Sequence, residues 1–214
     1  MSTLSNSKIN QILQNEFGED ILFEARSEWA STYKDYRSLI RSFIGSLDSF
    51  QSIDKSSIIN LDTPPPILNL SISHCPELGA VFFNPNAAHA GVDVEREDRV
   101  KDSIIKRVCT EKEIKAAPKP VALWCAKEAS FKAINRFDKN TKVLSQIFIQ
   151  DWQYIDEGVY SFAASINSKD SSSPEIQVTQ GSKKSDHLQQ GDQKLNGKGL
   201  MIQQNVHFFT FYSQ

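Results

Sequence analysis

Between Ala90 and Glu95 the chain alternates, so that Val92 and Val94 fall on one face of a strand and Asp93 and Glu95 on the other. Such a strand must lie at a boundary. Its valines need an apolar core, and its two adjacent carboxylates repel each other unless a cation sits between them. Hard oxygen donors favour Mg2+, which keeps several waters and takes one or two carboxylates together with substrate phosphates. Gly91, just before the pair, permits a close backbone approach. Taken alone, the segment also fits an acidic strand end running into the charged loop Arg96-Glu97-Asp98-Arg99.

A second chemical signal lies downstream. Pro120 suits the first position of a helix running from Val121 to Asn135. On it Trp124, Glu128 and Lys132 stand at i, i+4 and i+8, nearly on one line, with Phe131 beside them. If Glu128 turns toward Asp93 and Glu95 it adds a third carboxylate, and Lys127 and Lys132 add positive charge for a phosphate. The plain alternative is a Trp and Phe anchored in the core beside a Glu-Lys helix pair worth about 0.3–0.5 kcal/mol.

The remaining pattern is mixed α and β. Helical spacing over residues 7–17 and 28–46 predicts two amphipathic helices. After Pro64-Pro65-Pro66, the run 67–73 alternates as a strand with Leu68, Leu70 and Ile72 on one face, and a second strand follows at Ala80 to Phe83. Asn84-Pro85-Asn86 marks a turn before the acidic strand. Ile104, Ile105 and Val108 suggest a helix, and Thr110 to Glu113 has capping-box spacing for another. Strands are expected at Val143 to Trp152, at Val159 to Ile166 and around Phe208 to Phe211. Residues 167–199, rich in Ser, Gln, Lys, Asp and Gly, read as a long polar insertion.

Composition narrows the class. With 24 basic and 26 acidic residues the net charge is only -2, which leaves no basic field for nucleic acid. The 3 cysteines form no C-x-x-C pair and no zinc spacing, so a disulfide framework is not expected and a reducing, cytoplasmic setting is. No stretch approaches the roughly 20 apolar residues of a membrane span, and the first ten residues carry no apolar leader.

Gly91 to Glu95 followed by Trp124 to Lys132 resembles the signature of the 4'-phosphopantetheinyl transferase superfamily, G-[IV]-D-x-E and then W-[SCT]-x-K-E-[AS]-x-x-K. Upstream, Ser71-Ile72-Ser73-His74 resembles the S-x-S-H element of the longer, Sfp-type members. The resemblance implies transfer of the phosphopantetheine arm of coenzyme A to a serine of an acyl or peptidyl carrier protein, with Mg2+ or Mn2+. It implies an α+β fold of two similar repeats, each a small antiparallel sheet with helices, packed as a monomeric pseudo-dimer. The halves would be 1–86 and 87–214, with the active site in the cleft between them. Asp93, Glu95 and Glu128 would be the metal ligands, and Glu128 also a candidate base. Lys132 and Lys127 would hold the diphosphate, and Ser73 and His74 would lie at the coenzyme, His74 on its 3'-phosphate.

The resemblance has departures. Where many Sfp-type relatives carry a Gly-Lys-Pro turn, this chain reads Leu61-Asp62-Thr63-Pro64-Pro65-Pro66, so the basic contact to the nucleotide is missing or comes from elsewhere, with Lys34, Arg37 and Arg41 as candidates. The insertion is not a usual family feature. Lys101, Lys106, Arg107, Lys112, Lys115 and Lys119 concentrate positive charge that an acidic carrier could meet, although Glu111 and Glu113 also fit a solvated helix face. Alternative functions are a catalytically silent coenzyme A or nucleotide binder, a metal-dependent phosphohydrolase, and a plain interaction module.

Overall fold

The computed structural model of the chain describes residues 5–47, 69–136, 138, 140–166 and 196–214. Its elements run α1 (Asn6–Phe17), β1 (Leu22–Arg26), a 3-10 turn (Ser27–Trp29), α2 (Tyr36–Ser46), β2 (Leu70–His74), β3 (Gly79–Phe83) and β4 (Ala90–Arg96). They continue with α3 (Asp102–Val108), α4 (Glu111–Ala116), α5 (Pro120–Ile134), a second 3-10 turn (Leu144–Gln146), β5 (Ile147–Asp156), β6 (Val159–Ile166), β7 (Asn196–Gln204) and β8 (His207–Ser213). The strands form two antiparallel sheets, ordered β1-β3-β2 and β4-β8-β7-β6-β5, so the chain is α+β as expected. Among the described residues no helix is long and apolar enough to cross a membrane.

The two sheets share a core. Phe23, Ala80 and Phe82 of the first pack with Val92, Val94, Leu200, Ile202, Phe209 and Phe211 of the second, and α1 adds Ile9 and Leu13. Phe23 meets Phe209 and Phe211 edge-on, with centroids 5.6 and 5.1 Å apart, a favoured aromatic geometry. Helix α2 packs Ile40 and Ile44 on Leu70 and Val81 of the first sheet. Helix α5 packs Leu123, Ala126, Ala129 and Ala133 on Ile147, Ile149 and Phe162 of the second. Its small residues let it lie close to β4: a Cβ on Gly91 would stand 1.9 Å from the Ala129 carbonyl oxygen.

Where β2 runs beside β4, side chains join the sheets in place of a backbone ladder. Ser71 Oγ accepts the Val92 N–H at 3.0 Å and Ser73 Oγ accepts the Val94 N–H at 3.3 Å. Both serines and both amides are spaced by two residues, so the strand period brings them into register and satisfies the outer edge of β4.

Some expectations shift. The helix expected over 28–46 is a 3-10 turn followed, after an irregular stretch, by a helix that starts at Tyr36. Trp29 lies in the same buried cluster as Ile40 and Ile44, so tertiary packing, not helical continuity, explains its apolar spacing. The strand expected from Val143 starts at Ile147, because Gln146 Oε1 accepts the Lys142 and Val143 N–H groups and closes a 3-10 turn first. Strands β1 and β7 were not foreseen, and β7 begins inside the stretch assigned to the polar insertion. The rest of that insertion, 167–195, lies outside the described residues, as do Leu68 and the segment Leu61 to Pro66.

Candidate functional site

A cleft of about 320 Å3 opens where β2, β4 and α5 meet. Strand β2 lines it with Ile72, Ser73 and His74, strand β4 with Asp93 and Glu95, and helix α5 with Trp124, Glu128 and Lys132. Most of α5 is buried, and the half-buried line Trp124, Glu128 and Lys132 is the stripe it presents to this space. On β4 the alternation works as expected, with Val92 and Val94 fully buried in the shared core and the acids turned to the cleft.

Asp93 is held tightly. It is only 6% exposed, and its Oδ1 accepts from Ser73 Oγ at 2.9 Å and from Lys132 Nζ at 2.7 Å. Lys132 also donates to Ser73 Oγ at 2.9 Å and to the Val92 carbonyl at 3.0 Å, so protein acceptors take all three of its donors. Its side chain remains partly exposed to the cleft.

The other carboxylate oxygens are poorly satisfied. Asp93 Oδ2 and Glu95 Oε2 are buried and accept no hydrogen bond, and the guanidinium nearest Glu95, that of Arg99, stands 3.7 Å away. Burial first, and then the Asp93 charge, pushes the Glu95 and Glu128 carboxyls above their ordinary values. Buried acceptors left without donors are costly, and a cation is the group whose chemistry relieves both the orphaned oxygens and the mutual repulsion. The residues present therefore fit a divalent ion, with Asp93 and Glu95 as its nearest ligands. Asp93, Glu95 and Glu128 all line this cleft, although their donor atoms do not all lie within 4.8 Å of one another. Among the described residues, the set of three potential ligands whose donor atoms all lie within 4.8 Å of one another is Cys75, Glu77 and His207, outside the cleft.

A second hollow, about 150 Å3, adjoins the first and shares Ile72 and His74 with it; Tyr36, Arg37, Ile40 and Arg41 of α2 complete its lining. Arg37 Nε donates to the Tyr36 hydroxyl at 2.9 Å, and that hydroxyl lies 3.0 Å from His74 Nε2. Burial, then Lys132 and Arg37, hold the His74 imidazole below its usual pKa. A neutral ring with Nε2 as acceptor suits a donating Tyr36. Tyr36 was missed at the level of sequence because it counts there as one more apolar position of a helix stripe. Ser71 was likewise read only as part of a motif, although its hydroxyl braces β4.

Lys127 does not reach the cleft, which corrects the expectation that it holds diphosphate. It is fully buried on another side of α5, where Nζ lies 2.8 Å from Glu113 Oε1 and donates to the Ile147 carbonyl. Successive helix residues point about 100° apart, so Lys127 cannot share the line of its neighbour Glu128. Glu113 is fully engaged: it accepts from Lys127 and the Ile149 N–H, and closes the Thr110 capping box at the start of α4.

Of the basic residues between the two motifs, Lys115 and Lys119 pair with Glu111 and Glu97, while Lys101, Lys106, Arg107 and Lys112 are exposed. Residues 89–188 match the family model of the 4'-phosphopantetheinyl transferase superfamily, a span that contains the acidic strand and the whole of α5. No curated protein sequence matches the chain at a significant level.

Proposed function

We propose, from the match of residues 89–188 to the family model of the 4'-phosphopantetheinyl transferase superfamily, that the chain transfers the 4'-phosphopantetheine arm of coenzyme A to a serine of an apo acyl or peptidyl carrier protein. The products are the holo-carrier and adenosine 3',5'-bisphosphate. The observation that carries this reading is the pair of orphaned, buried oxygens on Asp93 and Glu95, in one cleft with Glu128 and Lys132.

In this reading Asp93, Glu95 and Glu128 would hold Mg2+, or Mn2+ in its place. The bound ion would neutralise charge that builds on the diphosphate. The protein's own groups do the rest. Lys132 fixes Asp93 and lends its charge to the phosphate side of the cleft. Glu128, whose raised pKa suits a proton acceptor, takes the hydroxyl proton of the carrier serine as its oxygen bonds to the β-phosphorus of coenzyme A. The bond from that phosphorus to the bridging oxygen breaks, and the electron pair leaves with the bisphosphate.

The hollow beside His74 supports a nucleotide end there. His74 meets the 3'-phosphate, and Arg37, with Arg41 and the nearby Lys34, supplies the basic contact that the Leu61 to Pro66 segment lacks. Ser73 acts by positioning Asp93 and Lys132. The reading takes 1–86 and 87–214 as the two halves of a cytoplasmic monomer. An acidic carrier surface would meet Lys106, Arg107 and Lys112 on α3 and α4.

The test is incubation with coenzyme A, Mg2+ and a panel of apo carriers, with mass spectrometry of the carriers. One phosphopantetheine added to a carrier serine supports the reading. No addition to any fatty-acid, polyketide or peptide carrier removes it, and free phosphopantetheine formed without a carrier identifies a hydrolase instead.

A further inference from the structure

We propose that Cys75, Glu77 and His207 form a second metal site, for a borderline-soft transition ion of the zinc type, which clips the turn after β2 to the start of β8. Three ligand types converge there. Cys75 Sγ lies 3.5 Å from Glu77 Oε2, and His207 Nε2 lies 3.8 Å from the same oxygen. All three donor atoms fall within 4.8 Å of one another.

At 3.5 Å the Cys75 thiol donates a hydrogen bond to Glu77 Oε2, while the histidine stands beyond hydrogen-bond range of it, and both spacings suit contacts through an ion. At 3.8 Å the imidazole does not hydrogen-bond the carboxylate, and His207 Nε2 is a buried nitrogen with no hydrogen-bond partner. Zinc binds sulfur at about 2.3 Å and nitrogen or oxygen at about 2.0–2.2 Å, which places tetrahedral ligand atoms roughly 3.3–3.7 Å apart. A thiolate with an imidazole selects such an ion over Mg2+, which prefers oxygen donors throughout.

The surroundings orient the ligands. Arg96 NH1 donates to Glu77 Oε1 at 2.7 Å and leaves Oε2 facing the cysteine and histidine, while Asp98 pairs with the same guanidinium and offsets its charge. Cys75 is buried, whereas Glu77 and His207 are partly exposed, so solvent reaches the cluster chiefly from the Glu77 side. The site links the two sheets, because Cys75 directly follows β2 of the first and His207 opens β8 of the second. It also anchors the residue next to His74. The inference does not depend on the proposed activity, since none of its ligands lines the catalytic cleft.

Cobalt(II) titration of the intact chain in excess Mg2+ tests it. The wild type should bind about one Co2+ tightly, with a thiolate-to-cobalt charge-transfer band and tetrahedral visible bands that Zn2+ displaces. Cys75→Ser should lose the charge-transfer band, and His207→Gln should weaken binding at least about tenfold. Asp93→Asn should change neither. A wild type without the band, a band that survives Cys75→Ser, or binding that is lost in Asp93→Asn overturns the proposal. If Cys75→Ser does not fold, His207→Gln, at a partly exposed position, decides: unchanged affinity overturns it and weakened affinity upholds it.

Discussion

The hydroxyl of Ser73 donates to Oδ1 of Asp93 across 2.9 Å, tying a strand of the three-stranded sheet to the cleft acid of the five-stranded one. The same oxygen accepts the Val94 N–H and a donor of Lys132, so one hydroxyl fixes a carboxylate, an ammonium and a strand edge. Ser73→Ala should therefore cost about 1–3 kcal/mol, the range for stranding a buried polar group. It should lower transfer as well, while Ser73→Thr restores much of both. Urea unfolding and a carrier-modification assay give the two readouts.

Asp93 is too buried to behave as a free surface acid. Its removal as Asp93→Ala would strand the Lys132 ammonium and destabilise the fold by about 1–3 kcal/mol, where an exposed metal carboxylate would cost little. Asp93→Asn keeps an acceptor for Ser73 and Lys132. It should fold within about 1 kcal/mol of the wild type, yet lose transfer by roughly a hundredfold or more, the scale of a lost transition-state electrostatic contact. Thermal unfolding beside single-turnover kinetics separates the two effects.

Lys127 and Lys132 sit on one helix and should fail differently. Lys127→Met leaves Glu113 buried without its cation, and should cost about 3–5 kcal/mol. Assayed at a temperature where it remains folded, it should keep the wild-type KM for coenzyme A. A large rise in that KM would return Lys127 to the substrate.

Gly91→Ala places a methyl group 1.9 Å from the Ala129 carbonyl oxygen, a backbone atom that cannot swing aside. Strand β4 and helix α5 would have to part, moving Asp93 and Glu95 away from Glu128. A loss of about 1–3 kcal/mol or more is expected, with transfer falling further than in a surface Gly→Ala control such as Gly45→Ala, whose Cβ meets nothing within 4 Å.

Burial pushes the Cys109 thiol up to about 11, with Lys127 opposing and Glu113 assisting the shift. The thiolate is the reactive form, so alkylation should be slow at pH 8 and should accelerate about tenfold per pH unit until that value is approached. Cys75 and Cys125 are buried and also shifted upward, so they should label more slowly than Cys109. Peptide mapping after timed iodoacetamide exposure reads all three.

The acidic strand and the Trp124-Glu128-Lys132 stripe were legible because each is written in a local period, two residues for the strand and about four for the helix. Helix α4 was legible in the same way, from the Thr110 and Glu113 spacing that closes its capping box. Strand β1 was not, because Leu22 to Arg26 offers only five residues of alternation and becomes a strand through pairing with β3. The hydrogen-bonded chain of Arg37, Tyr36 and His74 was hidden for a related reason: Tyr36 and His74 stand 38 positions apart.

By itself, then, the sequence determined which faces are apolar, where the carboxylates stand along β4 and which helix residues share their line. It could not determine which lysine meets which acid. Lys127 and Lys132 are equally basic, and only the packing of α5 between β4 and β5 sends one to Glu113 and the other to Asp93. The same holds for Ser73 and Lys132, 59 positions apart, and for Cys75, Glu77 and His207, gathered from both sheets. Periodicity depends on neighbours in the chain, whereas charge pairing and ligand convergence depend on neighbours in space, and those exist only once the two sheets have closed on their common core.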